Sequence, residues 1–299
     1  MSGSQQRAIV VGVDGSAVSD VALDWAIDKA AREHRPLHIV SSYSLPMTGA
    51  TPLAAPLEDD LKVGTQKIAE KAVARVHERA PEVQVTTTVR MAHPAVAILE
   101  AAADAGAVVV GSRGHRPLRG ALLGSTALQV ATHAPCPTIV VRDRGARPAS
   151  STPRPIVVGT DGSETSQNAL AYAFAQADAR GCELVIVHAW WLDLSGGRLI
   201  EVAATTAEQL DEEQRALLRQ QVAGLASRHP DVVTREVVVR DDPAETLVRL
   251  SADAELVVVG SRGHGGFRSL LLGSVSQRLL HMAQCPVAVV RPNAAAVED

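Results

Sequence analysis

A chain of 299 residues with a formal net charge of −4 offers no dominant basic surface, which argues against nucleic acid or an anionic membrane as its main partner. No apolar stretch reaches the roughly 18 residues of a membrane span, and the opening MSGSQQRAIV lacks the apolar core of a secretory signal. Three cysteines, an odd number in a long chain, suit a reducing compartment better than a disulfide framework, so a cytoplasmic setting is expected.

In chain order, AIVVGVD (8–14) reads as a fully buried strand, followed by a DGS turn. Ala22, Leu23, Ala26, Ile27 and Ala30 then form one apolar helical face. A second strand is expected at 37–42, a polar amphipathic helix at about 58–79 and a third strand near 83–90. Pro94 suits the first turn of the next helix. A fourth strand ends in VVVGSRGH (108–115), a helix opens at Gly124-Ser125, and PTIVVR supplies the fifth strand. Strand and helix alternating in this way imply a parallel sheet covered on both faces.

The whole pattern then returns. IVVGVDGS at 9–16 recurs as IVVGTDGS at 156–163, and APCPTIVVR at 134–142 as AQCPVAVVR at 283–291. The second helical face is Ala169, Leu170, Ala173, Phe174 and Ala177, with further elements at 184–190, about 205–228, 232–240 and from Pro243. An offset of 147 to 149 residues is far too long for a stacked solenoid unit and marks a duplicated domain. The exposed composition of DRGARPASSTPRP (143–155) reads as a linker, placing the domains at 7–143 and 154–292.

Both copies carry Gly-x-x-Gly, nine residues, then Gly-Ser: Gly111, Gly114, Gly124 and Ser125, then Gly260, Gly263, Gly273 and Ser274. Glycine lets backbone N–H groups approach a phosphate, and a helix opening at Gly-Ser adds an N-terminus and a hydroxyl suited to an anion. The DGS turn also lies at a strand's carboxyl end, so in a parallel sheet it can converge with the glycine motif on one site. No Walker GxxxxGK[ST] or GxGxxG occurs, and scattered histidines with distant cysteines make no metal-ligand spacing.

VGVDGS, GSRG, the nine-residue spacer and GS together resemble the ATP-binding signature of the universal stress protein family. The chain looks like a tandem, two-domain member of that family's ATP-binding branch, similar to actinobacterial forms. The resemblance implies an α/β fold of two Rossmann-like domains resembling the adenine nucleotide alpha hydrolases. Each would be a five-stranded parallel sheet of order 3-2-1-4-5 with helices on both faces. It further implies ATP, with Mg2+ on its phosphates, and pairing of fifth-strand edges into a homodimer of tandem chains. Asp14 and Asp161 match the family aspartate; since a bare carboxylate would repel phosphate, each should serve ribose, adenine or a phosphate-bound metal, the plain alternative being a helix N-cap. Ser42 and Ala189 match positions where backbone groups read adenine.

The spacers differ: HRPLRGALL carries Arg116-Pro117 where HGGFRSLLL has Gly265-Gly266, and proline removes an N–H. Arg113, Arg262, Arg119 and Arg268 could pair with phosphate or be ordinary loop arginines, and His115 and His264 read as solvent-facing. Cys136 and Cys285 read as packing residues, as do Trp190 and Trp191. No catalytic residue can be singled out, which favours a nucleotide-dependent regulator. An ATP-hydrolysing or adenylate-forming enzyme, or a dimerisation module with vestigial sites, remains open. The downstream partner and the inducing stress are not legible.

Overall fold

The computed structural model describes residues 7–45, 54–114, 123–143, 153–190, 204–263 and 271–292. The chain divides into two compact units between Arg147 and Pro148, within the stretch read as a linker. Unit 1 runs β1 (Ile9–Gly12), α1 (Ala17–Glu33), β2 (Leu37–Tyr43), α2 (Ala54–Arg79), β3 (Val85–Met91), α3 (Pro94–Ala101), β4 (Ala107–Gly111), α4 (Ser125–His133) and β5 (Thr138–Val141). Unit 2 repeats this as β6 (Ile156–Gly159), α5 (Glu164–Arg180), β7 (Leu184–Trp190), α6 (Ala204–Arg228), β8 (Thr234–Arg240), α7 (Pro243–Leu250), β9 (Leu256–Gly260), α8 (Ser274–Met282) and β10 (Val287–Val290). The long helices α2 and α6 begin at Ala54 and Ala204, slightly earlier than the expected starts near 58 and 205.

Within unit 1 the strands are parallel in the order β3-β2-β1-β4-β5. Unit 2 is built alike, β8-β7-β6-β9-β10. The inner strands are short valine and isoleucine runs buried on both faces, as a covered parallel sheet requires. Burying each such side chain contributes roughly 1.5–3 kcal/mol. β3 reads VTTTVRM, and its threonines and Arg90 suit an outer strand. The apolar faces read in α1 and α5 are fully buried.

Helices α1 and α5 start and stop by local rules. Ser16 and Ser163 are the N-caps, accepting the N–H of Ser19 and Ser166. Both helices end at a left-handed residue, His34 (φ 52°) and Gly181 (φ 58°). Pro94 and Pro243 occupy the first turns of α3 and α7, where a missing N–H costs nothing.

Candidate functional site

In each unit the strand order reverses direction between the first and fourth strands, and two turns meet at the carboxyl ends there. In unit 2 the first is the Asp-Gly-Ser turn after β6. Thr160 donates its N–H to Val187 (2.9 Å), and Gly162 adopts φ +82°, which a side chain would strain. Asp161 Oδ1 accepts from the N–H (3.0 Å) and hydroxyl (2.6 Å) of Ser163. The helix is capped by the serine, so the aspartate is not the N-cap considered from the sequence. Its second oxygen faces the other turn: a Cβ added to Gly263 would lie against Asp161 Oδ2. Unit 1 repeats the contact, with Asp14 Oδ2 2.5 Å from a Cβ built on Gly114 and Ser16 N–H on Asp14 Oδ1 at 3.0 Å. The aspartate and the last glycine of Gly-x-x-Gly, about a hundred residues apart in sequence, therefore share one wall in both units.

The first glycine of each motif is also needed for packing. A Cβ on Gly111 would meet Val18 Cγ1 at 3.1 Å, and one on Gly260 would meet Thr165 Cγ2 at 2.9 Å. These positions let α1 and α5 close onto the sheet as well as opening the turn.

The Gly-Ser helix starts divide into used and unused donors. Gly124 donates its N–H to Ser112 O, and Gly273 to Ser261 O, both at 2.7 Å. These bonds close each spacer at its base, so the two glycines offer a ligand space but not their own N–H. They are the N-caps of α4 and α8, with no side chain capping either helix. Ser125 and Ser274 are thus first helical residues rather than caps, and the first-turn N–H groups have no intrahelical acceptor. In α8 the Ser276 hydroxyl additionally bonds Gly273 O (2.9 Å) and Ser261 O (3.3 Å), where unit 1 has Ala127.

Unit 2 encloses a cavity of about 440 Å³. Its lining combines Asp161, Arg262, Gly263 and the helix start Gly273–Ser276 with the apolar Val187, Ala189, Pro243, Leu247 and Val259. Ala189, Asp161, Gly260, Gly263, Gly273 and Ser274 all line it. Ser42, the counterpart of Ala189, is part-buried late in β2, in register with Arg90. The apolar wall from α7 was not legible in the sequence, because Pro243 and Leu247 carry no motif. Thr160 was also missed; its hydroxyl bonds Ser166 Oγ (3.1 Å) and accepts the Gly162 N–H (3.3 Å), stiffening the turn.

The spacer residues His115, Arg116, Pro117, Arg119, His264, Gly265, Gly266 and Arg268 lie outside the described residues, as does Trp191. Trp190 is not simply core: the Arg240 guanidinium lies 5.9 Å from its ring centroid. Among the described residues no group of three His, Cys, Asp or Glu could hold a metal, and no helix is long and apolar enough to cross a membrane. All three cysteines are buried and outside any disulfide, with Cys136 donating to Ala102 O.

Two parallel α/β units, each carrying Asp-Gly-Ser beside Gly-x-x-Gly at the switch point, make a duplicated Rossmann-like fold. Residues 6–142 and 153–291 each match the Universal stress protein family, and the chain belongs to that family. It is similar to Universal stress protein Rv2005c of Mycobacterium tuberculosis, 36% identical over 96% of this chain and 98% of the relative. A universal stress protein of Mycolicibacterium smegmatis is 37% identical, again over 96% and 98% of the two chains. Among solved structures, the crystal structure of a universal stress protein from Archaeoglobus fulgidus DSM 4304 superposes with a TM-score of 0.68. It covers 97% of this chain and 100% of that one at 18% identity, a likeness of fold.

Proposed function

We propose that each unit, bounded at 7–143 and 154–292, binds one adenine nucleotide, ATP, and that the protein acts as a nucleotide-dependent regulator of a stress response rather than as a catalyst. The observation that carries this reading is the unit 2 cavity, whose lining joins glycine turns and uncapped helix N–H groups to a set of apolar side chains. Phosphates belong on the first and a purine on the second. A volume of about 440 Å³ lies within the roughly 300–1,000 Å³ of small-ligand sites.

In this reading Gly111, Gly114, Gly124 and Ser125, with Gly260, Gly263, Gly273 and Ser274, surround the phosphates. Asp14 and Asp161 take a ribose hydroxyl, adenine or a phosphate-bound Mg2+. Ser42 and Ala189 present backbone groups to the base. A homodimer of tandem chains in the cytoplasm belongs to the same proposal.

Calorimetry with ATP tests it, the expected result being two nucleotides per chain. Saturation below one per correctly folded chain defeats the two-site reading. Turnover at roughly 1 s⁻¹ or faster, in the ordinary range of enzymes, replaces regulator by enzyme.

A further inference from the structure

Two arginines lie close enough to feel each other's charge at the carboxyl edge of unit 2. Arg262 lies inside the Gly-x-x-Gly turn and lines the cavity. Arg291 directly follows β10, in which Val290 is in register with Gly260 and accepts the Ser261 N–H at 2.7 Å. The chain therefore leaves the sheet beside that turn. Side chains alternate along a strand, and Val289 pairs with Val259, a cavity wall. Arg291, two residues further on and just past the end of β10, lies outside the residues that line the cavity.

Nε and Nη2 of Arg291 are buried and have no hydrogen-bond partner among the described residues. Elsewhere in unit 2, Arg235, Arg240, Arg249 and Arg278 each reach a carboxylate. Burial, and then the charge of Arg262, hold the Arg291 guanidinium below its ordinary pKa. Withdrawing a cation from water beside a second cation is costly unless an anion lies against them.

We propose that Arg291 and Arg262 form a clamp for the distal phosphates of a nucleotide, so that unit 2 selects its ligand by phosphate-chain length. The clamp rests on the nucleotide reading above and deepens it. The α8 start and the glycine turn supply donors for the phosphate nearest the sugar, and a monophosphate needs no more. A longer chain carries its remaining charge towards the arginines, whose planar forks pair with phosphate oxygens. Unit 1 has Arg113 and Arg142 at the matching positions, but Arg142 is already engaged in a contact, so the clamp is assigned to unit 2.

The test is calorimetry with AMP, ADP and ATP on the full chain carrying Gly114→Val to close unit 1, with and without Arg291→Gln. The preference for ATP over AMP should fall about tenfold in Arg291→Gln and less in Arg291→Lys, which keeps the charge but not the fork. Arg262→Gln, on the turn, should lower the same ratio. Without nucleotide, Arg291→Gln should melt no lower than the parent, because an unpartnered charge has been removed. An unchanged ATP-to-AMP ratio overturns the clamp alone. A lowered melting temperature without nucleotide also overturns it, by showing that Arg291 anchors the fold. No nucleotide binding by the parent chain at all takes down the clamp and the function beneath it together.

Discussion

Units 1 and 2 open their first helices with the same Asp-Gly-Ser turn, yet fasten those helices by different chemistry. In α1, Lys29 is fully buried and paired with Glu33, while Asp24 receives two bonds from Arg75 (2.5 and 2.6 Å) and Asp28 one from Arg79 (3.0 Å). An offset of 147 places Gln176, Arg180, Ala171 and Ala175 at the positions of Lys29, Glu33, Asp24 and Asp28. Unit 2 instead uses a bond from Arg180 to Gln176 (2.7 Å), the stack of Phe174 on His229, and the His229–Asp178 pair. The turns around the candidate site keep nearly the same residues, because their work is done by backbone geometry that tolerates few side chains. The helix surfaces behind them only need their polar groups satisfied, and ion pairs or neutral bonds both do that.

The largest effect that could break this comparison comes from closing the turns. Gly114→Val and Gly263→Val each push a side chain into the facing aspartate, and each should weaken nucleotide binding in its own unit about a hundredfold, or nearly 3 kcal/mol. Calorimetry should then count one nucleotide instead of two. Losing both from one substitution would show that the units do not bind independently.

Next in size is the contrast behind the site. Glu33→Gln leaves the buried Lys29 ammonium short of its carboxylate and should destabilise the chain by about 3 kcal/mol, measured by urea unfolding. Arg180→Gln, which removes a bond to a neutral amide, should cost about 1 kcal/mol. Equal losses would erase the distinction between charged and neutral fastening.

A smaller effect sharpens the difference at the site itself. Ser276→Ala removes the hydroxyl that ties the α8 start to Ser261, making unit 2 resemble unit 1. A loss of about 1 kcal/mol, near fivefold in affinity, is expected from titration of the second site. Unaltered binding would mean that the Gly273–Ser261 bond alone holds the helix start.

The smallest effect concerns the thiols. Burial pushes the Cys136 thiol up to about 12, so its reactive thiolate is scarce at neutral pH, and all three cysteines are buried. Thiol reagents should label the folded chain hardly at all. At low urea, Cys136 reports opening of unit 1, and Cys182 and Cys285 report opening of unit 2. Prompt labelling without denaturant would show that one unit opens far more readily than its packing implies.

Much of this molecule was legible before its structure. The 3.6-residue spacing of Ala22, Leu23, Ala26, Ile27 and Ala30 marked a buried face, and all five are buried. Short valine runs marked covered parallel strands, prolines marked helix starts, and the duplicated glycines marked the turns. These are local patterns, written in the spacing of neighbouring residues, so the sequence by itself determined the elements, the duplication and the strand-end motifs. Long-range partners were decided only by the tertiary structure. It placed Asp14 against Gly114 and Asp161 against Gly263, spent the Gly124 and Gly273 N–H groups on carbonyls, and made Ser16 and Ser163 the caps. It brought Leu247 across to wall the cavity and left two nitrogens of Arg291 without an acceptor among the described residues. Each of these depends on which atom lies within about 3 Å after the chain has folded back on itself, a distance that sequence separation does not encode.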